Sequence, residues 1–254
     1  MRLFRKRRSA DAQKVTDNRT PARPSVSPPP PAAVASADAL PISYTYGPDL
    51  LLLSSASSRA AVAIRQTALE LIAHHVSRGR RSLALCGVAR GAGVSFLSIN
   101  LALALAMDGV STLVIDADLD QPSLETFIQP SHETAGLREY LLDPEVTSSD
   151  VIHRDVVANL SVIYAGGPSE IASELIGQAR FADLVRACMR DHDLVIIDTP
   201  PASLSASTRR IAAVAHYALV VARSGASHVD GVEVLSRSLK EDGVEIVGSV
   251  LNAV

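Results

Sequence analysis

Cysteine is scarce in this chain. The two present, Cys86 and Cys188, sit far apart, without the spacing of a metal or redox site. They read as buried free thiols in a reducing compartment. Seven histidines include the adjacent pair His74 and His75, but no HExxH and no Cys/His pattern occurs, so no structural metal is expected. Long apolar runs are lacking too. No stretch reaches the roughly 20 apolar residues that cross a bilayer, so no membrane span is expected. A secretory signal is also absent: MRLFRKRR is followed by polar SADAQKVTDNRT rather than by an apolar segment. The expected location is the cytoplasm. Charge of one sign is not in excess either, and a net charge of -3 argues against general affinity for nucleic acid.

What is present is enough apolar material, 47% of 254 residues, for one α/β domain plus a tail. Residues 1–47 are assigned to the tail and 48–254 to the domain. Five of the first eight residues are basic, and eight of the 14 prolines fall within residues 1–48, including the run Pro28–Pro31. Such a segment buries too little apolar surface to offset its chain entropy, so a disordered spacer is expected. Tyr44 and Tyr46 lie at its end and are the expected flexible tyrosines. The basic start reads either as a solvated tail or as a contact with anionic lipid, worth about 1 kcal/mol per cation. On the second reading, the expected location is peripheral, at the inner face of the cell membrane.

From about residue 58 the pattern changes. Residues 58–77 carry apolar positions at helical spacing. Short apolar runs then alternate with helical stretches: SLALC (82–86), STLVI (111–115), LSVIY (160–164), LVII (194–197), YALVV (217–221) and EIVGSVL (245–251). Near-continuous apolar strands separated by helices predict an α/β fold, a mostly parallel sheet with helices on both faces.

In such a sheet, ligands bind at the carboxyl ends of strands. Three strands end in residues that carry chemistry. The first runs into Gly87–Ser95 and then a helix that opens Ser95-Phe96. Gly91, Ala92 and Gly93 fit a backbone nest whose N–H groups face phosphate, and the helix N-terminus adds partial positive charge. The intact phosphate-loop pattern ends in Gly-Lys-Ser/Thr; here it reads Gly93-Val94-Ser95, so Val94 brings no charge. Ser95 is placed to ligate Mg²⁺. The second strand ends Asp116-Ala117-Asp118, two carboxylates that repel unless a cation sits nearby. The third, Leu194–Ile197, ends at Asp198, a Walker B arrangement that holds Mg²⁺ through water.

Taken together these segments resemble the bacterial tyrosine kinases of capsule and exopolysaccharide synthesis, within the ParA/MinD group of P-loop proteins. IDADLDQPSL is similar to that family's second Walker motif, and DLVIIDTPP matches its Walker B. LSVIYAGGPSEIASELI and the ending VVARSGASHVDGVEVLSRSLKEDGVEIVGSVLN resemble its later segments, so the likeness covers about residues 58–254. The resemblance implies ATP and Mg²⁺ as cofactors, with residues 91–96 holding the nucleotide. It implies that Asp116 and Asp118 act at the metal and the attacking hydroxyl, and that Ser95, Asp116 and Asp198 hold the metal. It implies that Asn252 reaches the base. It also implies a homo-oligomer and a membrane-embedded co-polymerase or chain-length protein as partner.

The chain departs from the family at marked places. Val94 stands at the phosphate-loop lysine, and Ala89 at the second signature lysine of the ParA/MinD group. Arg90 stands at the usual proline. The family's terminal tyrosine cluster has no counterpart in Asn252-Ala253-Val254. Of the ExxRxxR oligomer motif, Arg59, Val62 and Arg65 leave only Arg65 matching, which counts against a family-like ring. The expectation is weakened nucleotide binding and impaired catalysis in a protein of polysaccharide assembly. An active kinase and a ParA/MinD-like positioning ATPase are the alternatives.

Overall fold

The computed structural model describes residues 42–253. The expected spacer, its proline run and the basic start lie outside the described residues. Nine strands are present among those described: β1 (Tyr44–Tyr46), β2 (Ser82–Gly87), β3 (Thr112–Asp116), β4 (Ile128–Pro130), β5 (His153–Val157), β6 (Leu160–Ile163), β7 (Leu194–Asp198), β8 (Tyr217–Arg223) and β9 (Glu245–Asn252). The helices are α1 (Leu51–Ser54), α2 (Arg59–His74), α3 (Val94–Met107), α4 (Leu137–Leu142), α5 (Ser148–Val151), α6 (Ala172–Ile176), α7 (Ala179–Asp191), α8 (Ser207–Ala215) and α9 (Val229–Glu241).

Seven strands form one sheet in the order β5-β6-β3-β7-β2-β8-β9. All neighbours are parallel except β5, which runs antiparallel to β6. The central strands are buried on both faces, and their side chains alternate between two cores. Leu83, Leu85, Val114, Leu194 and Ile196 join α2 and α3 in one core. Ala84, Cys86, Leu113, Ile115, Val195 and Ile197 join α7, α8 and α9 in the other. Helix α3 is apolar almost all round because both the sheet and α2 cover it. Both cysteines are buried thiols, as expected, and burial pushes each pKa up to about 12.

Two expectations are corrected. The compact unit begins at Ile42, so it takes in residues 42–47, which were assigned to the tail. Here β1 pairs antiparallel with β4. Tyr44 and Tyr46 are therefore not flexible. The Tyr44 hydroxyl hydrogen-bonds His153 Nδ1 at 2.9 Å, and the Tyr46 hydroxyl donates to the Val156 carbonyl at 2.7 Å. The edge strand β5 is likewise absent from the sequence reading. It is short, half polar and bulged against β6, so it offers no apolar run.

Residues just after β1 are tied to α3 through Asn100, a fully buried polar side chain. Its Oδ1 accepts from the Leu51 N–H at 2.8 Å, and its Nδ2 donates to the Asp49 carbonyl at 2.9 Å. Asn100→Ala leaves both backbone groups without these partners, an expected loss of about 1–3 kcal/mol in urea unfolding. An unchanged unfolding midpoint contradicts this role.

Candidate functional site

The site lies at the carboxyl ends of β2, β3 and β7, where strand register sets its chemistry. Asp116 ends β3 and Asp198 ends β7, and the two are direct partners across the pair. Parallel neighbours lie about 4.8 Å apart and project partnered side chains to the same face. Both aspartates are buried, at 1% and 0% exposure.

Their surroundings differ. Asp116 Oδ2 accepts from the Ser123 and Leu124 N–H groups, each at 3.0 Å, and Oδ1 accepts from Asp118 N–H at 3.2 Å. It therefore organises the turn after β3. Asp118 Oδ1 accepts from Gln121 N–H at 2.9 Å and Asp120 N–H at 3.2 Å. Asp198 Oδ1 accepts from the Ser98 hydroxyl at 2.9 Å. Asp198 Oδ2 is buried and has no hydrogen-bond partner among the described residues. A buried carboxylate oxygen left so is costly unless a cation or water meets it.

The electrostatics agree. Burial raises the pKa of Asp198 well above the usual carboxylate value, the charge of Asp116 raises it further, and hydroxyls of Ser95 and Ser98 oppose the shift. Burial also raises Asp116, against the N–H groups of Leu124 and Ser123. Asp118 is raised by burial, while backbone N–H groups and the charge of Arg90 pull it back. Arg90 thus reaches this acidic cluster electrostatically.

The phosphate loop stands over these acids. Gly91 and Gly93 have φ of +76° and +86°, conformations that favour glycine and give the nest its shape. Gly93 caps α3 and Val94 begins it. The loop is pinned from beneath: Ala202 N–H donates to Gly87 O and Ser203 N–H to Val88 O, both at 2.9 Å. Val94 faces inward. It is 9% exposed, and its Cγ2 lies 2.5 Å from where a Cβ on Gly87 would sit. Its side chain fills the floor of the loop.

Asn252, at the end of β9, meets the same loop, with Nδ2 donating to the Ala92 carbonyl at 3.2 Å. Phe96 is half-buried on α3. Together with Ile64, Val250 and Leu251 it lines an apolar cavity of about 460 Å³ beside Asn252. A larger polar cavity of about 830 Å³, lined by Glu125, His132, Arg138 and Gly167, does not include the aspartates. So Gly91–Phe96, Asp116, Asp118, Asp198 and Asn252 converge around the strand ends. Two participants were not read from the sequence. Ser98 lies one helical turn past Ser95, a spacing that was available. Arg223 ends β8 next to the loop strand, and its Nη1 donates to the Gly91 carbonyl at 3.1 Å.

No three His, Cys, Asp or Glu side chains form a metal-holding group among the described residues. A Mg²⁺ ion here would draw ligands from phosphate oxygens and water as well as from protein. The unpartnered Asp198 oxygen near Ser95 fits that arrangement, and the nest fits phosphate. Val94 adds no charge to the nest.

Residues 82–244 match the AAA_31 model, described as an AAA domain. The chain is 30% identical over 172 residues to the tyrosine-protein kinase CpsD of Streptococcus agalactiae, covering 68% of this chain and 75% of that protein. It belongs to the CpsD/CapB-type bacterial tyrosine-kinase family. EpsB of Ralstonia solanacearum is 33% identical over 175 residues, but the chain spans only 23% of its length. The kinase domain of Escherichia coli ETK superposes with a TM-score of 0.73 at 28% identity, covering 83% of this chain and 82% of that one. MinD of Pyrococcus horikoshii in complex with Mg-ADP shares the fold, at TM-score 0.57 and 18% identity, covering 67% of this chain and 69% of that one. The chain is thus a P-loop fold of the MinD-like kind in a kinase family. No helix among the described residues is long and apolar enough to cross a membrane.

The paired acids yield a stability test. Their folded pKa values are raised, so the folded state holds protons that the unfolded state has already released. The pair therefore lowers stability as pH rises from about 4 through the raised values, the reverse of a salt-bridged aspartate. Asp198→Asn removes one charge and sets an amide donor beside Asp116. Without ligand, the variant is expected to melt higher than wild type at pH 8, with the gap closing towards pH 5. A lower melting temperature at pH 8 contradicts the repulsion.

Proposed function

We propose that this chain is a nucleotide-binding member of its kinase family with impaired phosphoryl transfer. It acts in exopolysaccharide, capsule or adhesive polysaccharide assembly as regulatory partner of a membrane co-polymerase. One observation carries the reading: the acids of the metal site are kept, while Val94 occupies the lysine position and packs into the loop floor. In related phosphoryl transfers a well-placed cation contributes about 10³–10⁵ in rate. Binding depends less on any single group. One hydrogen bond to a charged group is worth about 1.5–3 kcal/mol, or roughly tenfold to a hundredfold in affinity. A nest, a helix N-terminus, Ser95 and Asp198 support ATP with Mg²⁺ as the ligand, held more weakly than in a lysine-bearing relative.

The polysaccharide role is drawn from the kinship with CpsD and EpsB. The membrane partner is proposed because no described helix spans a bilayer, while the basic residues of MRLFRKRR favour an anionic lipid surface.

Calorimetry of the full chain with ATP and Mg²⁺ should show weak binding. Val94→Lys should tighten it by roughly tenfold to a hundredfold and raise any phosphotyrosine formation. Wild-type protein that binds and phosphorylates as well as the Val94→Lys variant counts against the impairment. Surface polysaccharide that is unchanged after deletion of the gene counts against the pathway.

A further inference from the structure

We propose that Arg223 supplies the phosphate loop with the cationic charge that Val94 lacks. The inference rests on the reading that this loop binds a nucleotide. In the β2–β8 pair, Gly87 at the base of the loop is the partner of Val221. Strand β8 then runs on through Ala222 to Arg223, so Arg223 stands level with the loop itself.

The backbone of Arg223 is firmly placed. Its N–H donates to Ser227 Oγ at 2.9 Å, and its carbonyl accepts from the Ser227 and Ala226 N–H groups. On the other side it pairs with Asn252 of β9, which also touches the loop. From this anchor the exposed side chain reaches over the loop, and Nη1 donates to the Gly91 carbonyl at 3.1 Å. The same nitrogen is 3.7 Å from where a Cβ on Gly91 would sit, the nearest heavy atom to that position.

The rest of the guanidinium is uncommitted to any acid. Arg65, Arg80, Arg138, Arg154, Arg186 and Arg209 each form an ion pair with a carboxylate, while Arg90, in the loop itself, forms none among the described residues but acts on Asp118 through its charge. Arg223 forms none among the described residues, although three aspartates lie in the same site. Guanidinium carries five N–H donors in a planar fork suited to phosphate oxygens, and one bond to Gly91 leaves the others for an anion. A lysine at position 94 would approach phosphate from inside the nest. Arg223 approaches from the rim, so it is a binding and charge-balancing residue rather than a copy of the lysine.

The test separates charge from loop support. Arg223→Gln keeps an N–H donor for the Gly91 carbonyl but loses the charge; Arg223→Lys keeps the charge; Arg223→Ala loses both. Calorimetry with ATP and Mg²⁺ on the full chain should show a loss of roughly tenfold to a hundredfold for the Gln and Ala variants, with partial recovery for Lys. Melting temperatures without nucleotide should not move, because the side chain is exposed. In a Val94→Lys background the Gln effect should shrink. Gln binding as tightly as wild type overturns the inference and leaves the nucleotide reading intact. Wild type that binds no ATP overturns both.

Discussion

The structure turns on two carboxylates placed side by side in a buried parallel sheet. Asp116 and Asp198 are partners across β3 and β7 and are sealed from solvent. Two such charges in a low-dielectric setting repel strongly. Neighbouring groups soften the conflict without removing it. Backbone N–H groups of the turn after β3 embrace Asp116, and serine hydroxyls of α3 reach Asp198. One oxygen of Asp198 has no hydrogen-bond partner among the described residues. A fold under selection for stability alone would replace one acid with an apolar residue. The pair suits the divalent cation proposed for this site.

The phosphate loop tells the complementary story. Its glycines, its left-handed turns and its pinning by the segment after β7 shape a nest. Val94 then closes the floor where a cation would stand. Gly91 and Gly93 hold conformations that other residues adopt only at a cost. The combination separates two properties that one lysine normally joins, grip on the phosphates and stabilisation of the transferring group. Charge delivered from the rim by Arg223 restores part of the first without the second.

Much of this was legible in the sequence. The six apolar runs became β2, β3, β6, β7, β8 and β9; those in the middle of the sheet are apolar throughout because both faces are covered, whereas β9 is a half-exposed edge strand. Asp116, Asp198 and the glycine loop were legible because each directly follows such a run. The small sheet of β1 and β4 was not: its three-residue strands carry no periodicity, and what holds β1 is tyrosine hydroxyls bound to partners over 100 residues away. Arg223 was hidden for a related reason. Nothing local to VVARSG says that its side chain folds back onto Gly91; only the register of β8 against β2 does.

If Mg²⁺ meets the buried pair when nucleotide binds, it meets carboxyls whose pKa values burial and mutual charge have raised. Proton exchange on binding tests this most directly. Calorimetric titration of the chain with ATP and Mg²⁺ near neutral pH, repeated in buffers of different ionisation enthalpy, reads the protons exchanged, once corrected for protons exchanged by ATP itself. The account predicts net release from the protein, because the cation displaces a proton held at the raised pKa of Asp116 and Asp198, and predicts that Asp198→Asn abolishes it. Tight binding with no proton released by the wild-type protein would contradict the account.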